Sequence, residues 1–209
     1  MIGIIDYGMG NLQSVENSFK HIKADVKIIR SRKELKEVDG IVLPGVGSFA
    51  EGMRNLHKLD LVDEIKRQRD ESFKPFLGIC LGMQLLADSG TEGGETPGLG
   101  LIPGTVKRLD AGRPENSPIR LPHVGWNNIQ IFHETPLLSK DMAVDYYFVH
   151  SYHFEAKLLN QIAVCTYEAK TFAAVVGGPG NLFGVQFHPE KSHQYGLQIL
   201  KKFANLTHA

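Results

Sequence analysis

Through the first half of the chain, short apolar runs alternate with segments of helical periodicity. Residues 1–6 form an apolar run closed by Tyr7-Gly8-Met9-Gly10-Asn11, and residues 12–22 repeat with helical spacing. Residues 26–30 and 40–43 predict two further strands, separated by the charged segment 32–37. Residues 56–71 predict a solvated helix with an apolar face at Leu61, Val62 and Ile65 and its charges at the surface. Residues 75–87 predict a short buried strand running straight into a helix. Strands alternating with helices predict an α/β fold, a three-layer sandwich whose mostly parallel central sheet carries helices on both faces.

The pattern changes after the turn-rich segment 88–100, which reads as a connection. Residues 105–109, 126–131, 145–152, 163–167 and 172–176 are short β-like runs, and they predict an antiparallel or mixed extension of the sheet. A strand leading to His188 follows, and residues 194–206 predict a final covering helix. At 209 residues and 42% hydrophobic content, one domain spanning residues 1–209 is expected.

Charge narrows the partners. Lys and Arg together number 23, matched by 23 Asp and Glu, so no electrostatic footprint for nucleic acid or an anionic membrane is present. The two cysteines, Cys80 and Cys165, make no disulfide framework, and no leader or apolar span of membrane length is legible. A reducing cytoplasm is the expected compartment.

Gly78-Ile79-Cys80-Leu81-Gly82 is the cysteine form of the G-x-S-x-G nucleophile elbow, in which small neighbours allow a sharp turn that presents the central side chain. A helix N-terminus at Cys80 would favour the attacking thiolate, and the N–H of Leu81 would face a developing oxyanion. The same five residues equally suit a buried core cysteine between glycines. Pro44-Gly45-Val46-Gly47-Ser48-Phe49 ends the third strand, on the edge where open α/β sheets gather ligands. Its glycines suit an N–H donor that changes orientation cheaply, or an ordinary strand-to-helix turn.

His188-Pro189-Glu190 holds an imidazole and a carboxylate about a proline that fixes φ. With Cys80 they compose a triad: nucleophile, base and orienting acid. Gly8-Met9-Gly10 lacks the third glycine of a dinucleotide fingerprint, where Gln13 stands, and residues 88–100 lack the Gly-Lys-Ser/Thr ending of a phosphate loop. No cofactor is expected. His150-Ser151-Tyr152-His153 lacks the glutamate of a zinc helix, so no metal is expected, and these histidines line the crevice or decorate a strand end.

Taken in this order, the elbow, the Pro44-Gly45-Val46-Gly47 loop and the His188-Pro189-Glu190 turn resemble the class I (triad) glutamine amidotransferases. Within that class, residues 6–11 and 44–49, His123-Val124-Gly125-Trp126-Asn127 and Phe148-Val149-His150-Ser151-Tyr152 resemble the glutaminase subunits of imidazole glycerol phosphate synthases. The resemblance implies attack of Cys80 on the glutamine amide, with a thioester intermediate, His188 as base and then acid, and Glu190 steadying the imidazole. It implies an oxyanion hole from Leu81 and a peptide N–H near Val46 or Gly47. Gly47, Gln84, Ser151 and Tyr152 would hold the amino-acid end of glutamine.

It further implies a heterodimer with a (β/α)₈-barrel cyclase that receives the ammonia, Asn11, Trp126 and Lys191 at the interface, and a loop at Val46 that switches on docking. Trp126 equally suits a core anchor. Rival readings are the glutaminase of another synthase such as anthranilate synthase, a non-catalytic binding protein on this fold, and a cysteine-elbow hydrolase or chaperone.

Overall fold

Apolar alternation sorts the early strands into two cores. The computed structural model describes residues 1–112 and 119–207. Its first half runs β1 (Ile2–Ile5), α1 (Leu12–His21), β2 (Val26–Ile29), α2 (Arg32–Lys36), β3 (Gly40–Gly45), α3 (Phe49–Lys58), α4 (Val62–Asp70), β4 (Phe76–Cys80) and a single helical turn, α5 (Leu81–Gln84). Ile2, Ile4, Val42, Leu77 and Ile79 enter one core with Val15 and Phe19 of α1. Ile5, Ile41, Leu43 and Phe76 enter the other with Phe49, Met53 and Leu56 of α3. This period of two along buried strands makes a sheet that is covered on both faces.

The second half runs β5 (Ser89–Gly90), β6 (Thr96–Pro97), β7 (Gly104–Arg108), β8 (His123–Ile131), β9 (Asp145–His150), β10 (Tyr152–Ala156), β11 (Gln161–Tyr167), β12 (Lys170–Gly178), β13 (Leu182–Val185) and α6 (His193–Leu206). Among the described residues, nine strands join in the order β2-β1-β3-β4-β13-β12-β11-β8-β9. The pairs from β2 through β13 are parallel, and those from β13 to β9 are antiparallel. The expected α/β sandwich with an antiparallel extension is thus observed. Phe203 of α6 meets Phe19 of α1 edge to face at 6.5 Å, which fastens both helices over one face.

Local expectations change in places. The helix predicted over 56–71 is two, because Asp60 takes φ 56° and Leu61 N–H turns back to the Leu56 carbonyl. The first of the pair begins earlier, at Phe49, where Ser48 caps the Glu51 N–H and the Glu92 carboxylate accepts from Phe49 N–H. The charges there are not all superficial. Glu64 is fully buried and accepts from Arg67 at 2.6 Å and Gln68 at 2.6 Å, a pairing that burial of a carboxylate requires. The charged segment between the second and third strands forms the short helix α2, since Ser31 accepts from Glu34 N–H while the Glu34 carboxylate accepts from Arg30 N–H and Ser31 Oγ.

The run 145–152 also divides. β9 pairs with β8 in the large sheet, whereas β10 pairs with β7 in a second sheet ordered β10-β7-β5-β6. Ser151 is the residue where the chain leaves one sheet for the other, and segment 88–100, expected as a plain connection, supplies two strands of the second sheet.

Register carries the site. Gly45 lies opposite Cys80 across β3 and β4, and Gly184 opposite Gly78 across β13 and β4. A Cβ at Gly82 would run into the Leu43 carbonyl, and one at Gly78 would lie 2.6 Å from the Gly82 carbonyl oxygen. The expected result of Gly82→Ala is destabilisation by at least about 1–3 kcal/mol, read as a lower urea midpoint; an unchanged midpoint would show that the turn has room to relax.

Candidate active site

Cys80 ends β4 with φ 53° and ψ −109°. A non-glycine residue held there costs about 1–3 kcal/mol and persists only where its surroundings overdetermine it. The helix that follows is a single turn, continued to Ala87 only by turns, so the expected macrodipole is small. What the turn does offer is the N–H of Leu81, which as its first residue has no intrahelical acceptor.

His188 follows β13, held by its backbone at two points and by its ring at one. Its backbone N–H donates to the Tyr147 carbonyl at 2.9 Å, Ser192 Oγ donates to its backbone carbonyl at 2.6 Å, and its ring Nδ1 lies 2.7 Å from Glu190 Oε1. Glu190 sits in the Pro189–Lys191 turn, where the proline stands at the start as its fixed φ favours. His188 Nε2 is buried and makes no hydrogen bond, while Cys80 Sγ is turned to the Val149 carbonyl at 3.9 Å and Gln186 Nε2 at 3.7 Å. Hydrogen bonds of a nucleophile to its base commonly close only around bound substrate. Burial lowers the pKa of His188, but Cys80 and Glu190 outweigh it and raise it to about 10. A proton on the ring is therefore favoured, with the Glu190 carboxylate hydrogen-bonded at Nδ1 and Cys80 nearby.

Val46 and Gly47 follow Gly45 directly, which brings them beside the Cys80 turn; Val46 is 45% exposed and Gly47 holds φ +113°. Gln84 is buried, and both protons of its amide are spent inside the protein, on the Tyr152 carbonyl at 2.9 Å and Gln186 Oε1 at 3.0 Å. It ties α5 to the sheet crossover at Ser151 and Tyr152. Asn11 caps α1 by accepting from Ser14 N–H. Trp126 is 43% exposed, so it is no core anchor; it stacks on His193 at 4.8 Å and meets Tyr147 edge-on. Lys191 lies over that same Tyr147 ring at 5.7 Å, so Trp126 and Lys191 share one surface beside the Glu190 turn.

Several residues of this crevice escaped the sequence reading. Gln186 stands two residues before His188, and that period-two spacing was the available signal. Tyr7 is buried against Gly45 with an unpartnered hydroxyl, and burial together with the nearby Cys80 raises its pKa. Cys165, the other thiol, lies in β11, where burial pushes it up to about 12 and leaves it unreactive. Among the described residues no group of three or more His, Cys, Asp or Glu is arranged to hold a metal, and no helix is long and apolar enough to cross a membrane.

The sequence profile described as glutamine amidotransferase class-I matches residues 3–206. The chain belongs to this family. Among curated glutamine amidotransferase relatives, proteins named imidazole glycerol phosphate synthase subunit HisH are 45% identical in Caldanaerobacter subterraneus subsp. tengcongensis (99% of this chain, 98% of the relative) and 41% identical in Bacillus subtilis (99% and 97%). The same-named protein of Methanosarcina acetivorans is 44% identical (98% of each). Two solved structures share the fold: one described as a glutamine amidotransferase (TM-score 0.73, 18% identity, 100% of this chain and 99% of that one) and PurLQS from Thermotoga maritima (TM-score 0.74, 18%, 98% and 97%).

Acid response follows from the buried imidazoles of this amidotransferase. Burial holds His123 down at about 4 and His150 at about 3, and chiefly burial holds His153 at about 4. Unfolded, these rings titrate near 6.5, so below that pH the unfolded chain binds protons that the folded chain refuses. Their stability is present above about pH 6.5 and is lost as pH falls towards 4. His188 has the opposite sign: its share is whole below about 6.5 and is lost as pH rises through about 10. The urea midpoint is expected to drop between pH 6.5 and 4 in the native chain and less steeply in His123→Phe; equal slopes would refute this origin.

Proposed function

We propose that this chain, as one domain, is the glutaminase subunit of an imidazole glycerol phosphate synthase, working in the cytoplasm. The observation that carries the reading is the His188–Glu190 pair, 2.7 Å apart, in the same crevice as the strained Cys80 elbow. Cys80, relieved of its proton by His188, attacks the carboxamide carbon of glutamine. The tetrahedral oxyanion is met by the Leu81 N–H and a peptide N–H of Val46 or Gly47. Collapse breaks the C–N bond as His188 returns the proton to the departing ammonia, leaving a γ-glutamyl thioester on Cys80. Water, deprotonated by His188, then releases glutamate and the thiol. Glu190 holds the ring in the tautomer that both steps need.

The ammonia passes to a (β/α)₈-barrel cyclase that docks as the second subunit. Trp126 and Lys191, sharing one face with Tyr147, together with Asn11, supply the docking surface, as an exposed aromatic beside a cation suits. The loop at Val46, glycine-flanked and half exposed beside the nucleophile, is the element that responds to docking. A glutaminase of the anthranilate synthase type is the second reading, and the relatives' shared name favours the first.

Cys80→Ala tests both the nucleophile and the route. In the complex with the barrel subunit it is expected to lower ammonia release from glutamine by about a thousandfold or more, while synthesis from added ammonium salt continues. Loss of both activities in a folded, docked variant would overturn the proposal, and failure of the wild-type chain to bind the barrel would transfer it to the other synthase.

A further inference from the structure

We infer that Asn127, His123 and His150 form a hydrogen-bonded relay whose task is to position the Tyr152 carbonyl, and through it Gln84 and Gln186, against Cys80. The inference rests on the glutaminase reading for its consequence, and on geometry alone for the relay itself.

The relay begins on β8. Asn127 Nδ2 lies 2.6 Å from His123 Nε2, His123 Nδ1 lies 2.9 Å from His150 Nε2, and His150 Nδ1 lies 2.8 Å from the Tyr152 carbonyl oxygen. Register produces this alignment. His123 and Asn127 are four apart on one face of β8, and His123 pairs directly with His150 at the end of β9. One residue later the chain crosses from the large sheet to the small one, so the relay ends at the first carbonyl after the crossover.

Its direction is determined. A carbonyl only accepts, so His150 Nδ1 carries the proton and its Nε2 accepts. His123 therefore carries its proton on Nδ1, and its Nε2 accepts from the Asn127 amide. Beyond the carbonyl the same logic continues. Gln84 must donate to Tyr152 O, and it spends its other proton on Gln186 Oε1. That turns the Gln186 amide nitrogen to Cys80 Sγ at 3.7 Å. Both lone pairs of one carbonyl thus set two imidazole tautomers on one side and two amide orientations on the other. The depressed titration of both histidines agrees with rings that stay neutral. An N–H aimed at sulfur fixes the direction in which the sulfur faces the crevice.

A purely structural role makes a different demand. His123 stacks on Tyr167 at 4.0 Å and Phe148 at 5.0 Å, and His150 meets Phe172 at 4.8 Å, an aromatic cluster that phenylalanine would fill without any hydrogen bond. Packing alone would tolerate His→Phe; the relay would not.

The test compares His150→Phe with His150→Asn, whose Nδ2 occupies the place of the imidazole Nδ1 and still donates to Tyr152. Side-chain amide signals of Gln84 and Gln186 are followed by NMR on the full chain, and steady-state glutaminase kinetics are measured in the complex with the barrel subunit. His150→Phe is expected to shift both amide signals and to lower kcat/KM for glutamine about tenfold, with ammonium-driven synthesis retained and His150→Asn recovering most of the loss. Unmoved amide signals, or equal losses in the two variants, would overturn the relay. Should His150→Phe fail to fold, His123→Phe, one link further out, is read by the same signals. A wild-type complex without glutaminase activity would sink the functional reading instead, while the amide signals would still decide the relay.

Discussion

Two positions around Cys80 have room for a hydrogen atom and nothing larger. The carbonyl of Leu43 occupies the space a side chain at Gly82 would take, and the carbonyl of Gly82 occupies that of Gly78. This close approach lets the chain reverse within one residue, from a central strand into a helical turn, with a side chain at positive φ. Backbone strain of that kind survives only if neighbouring strands refuse every relaxed alternative. β3 and β13 flank β4 in parallel, both fully buried, and they supply that refusal. The nucleophile's position is thus a property of the sheet centre rather than of the loop that bears it.

The other half of the crevice depends on where the chain changes sheets. β9 belongs to the large sheet and β10 to the small one, with Ser151 between them and Tyr152 opening the β10–β7 ladder opposite Arg108. The Ser151 carbonyl accepts from the Leu109 N–H at 2.9 Å, whereas the Tyr152 carbonyl turns back towards the crevice, and a buried carbonyl without a partner is costly. Tyr152 O is satisfied by two side chains, His150 and Gln84, which belong to different elements. A topological necessity, satisfying one carbonyl, ties α5 to β9 and so couples the nucleophile's turn to the aromatic cluster behind it.

Much of this was legible in residue order. The elbow, the glycine loop and the His188-Pro189-Glu190 turn each carry a local signature, and apolar alternation located the parallel strands to within a residue or two. Helix boundaries were less legible. Ser48 with Glu51 and Ser31 with Glu34 are capping signals that spacing contains, yet their weight depends on whether the following residues find a core. The split at Ser151 was invisible, because residues 145–152 read as one continuous run and only pairing with β7 turns the chain away. Tyr7 and the histidine relay were illegible for the same reason, and Gln186 left only its spacing from His188 as a signal. Each matters through a partner distant in sequence, as Gln186 is to Gln84 and His123 to His150.

The histidines show how one residue type serves opposite ends. His188, His123 and His150 are all buried in one half of the molecule, and burial alone would keep all three neutral. What separates them is the partner on the remaining nitrogen. His188 faces a carboxylate and a thiol, both of which gain from a proton on the ring, and its affinity for that proton rises. His150 faces a carbonyl and another imidazole, neither of which carries charge to offer, and its proton affinity falls. A ring that must shuttle protons and a ring that must hold a fixed tautomer therefore need no difference in exposure, only Cys80 and the Glu190 carboxylate in place of a second imidazole and the Tyr152 carbonyl. By that argument the chemistry of the crevice is written less in its histidines than in the acceptors set opposite them.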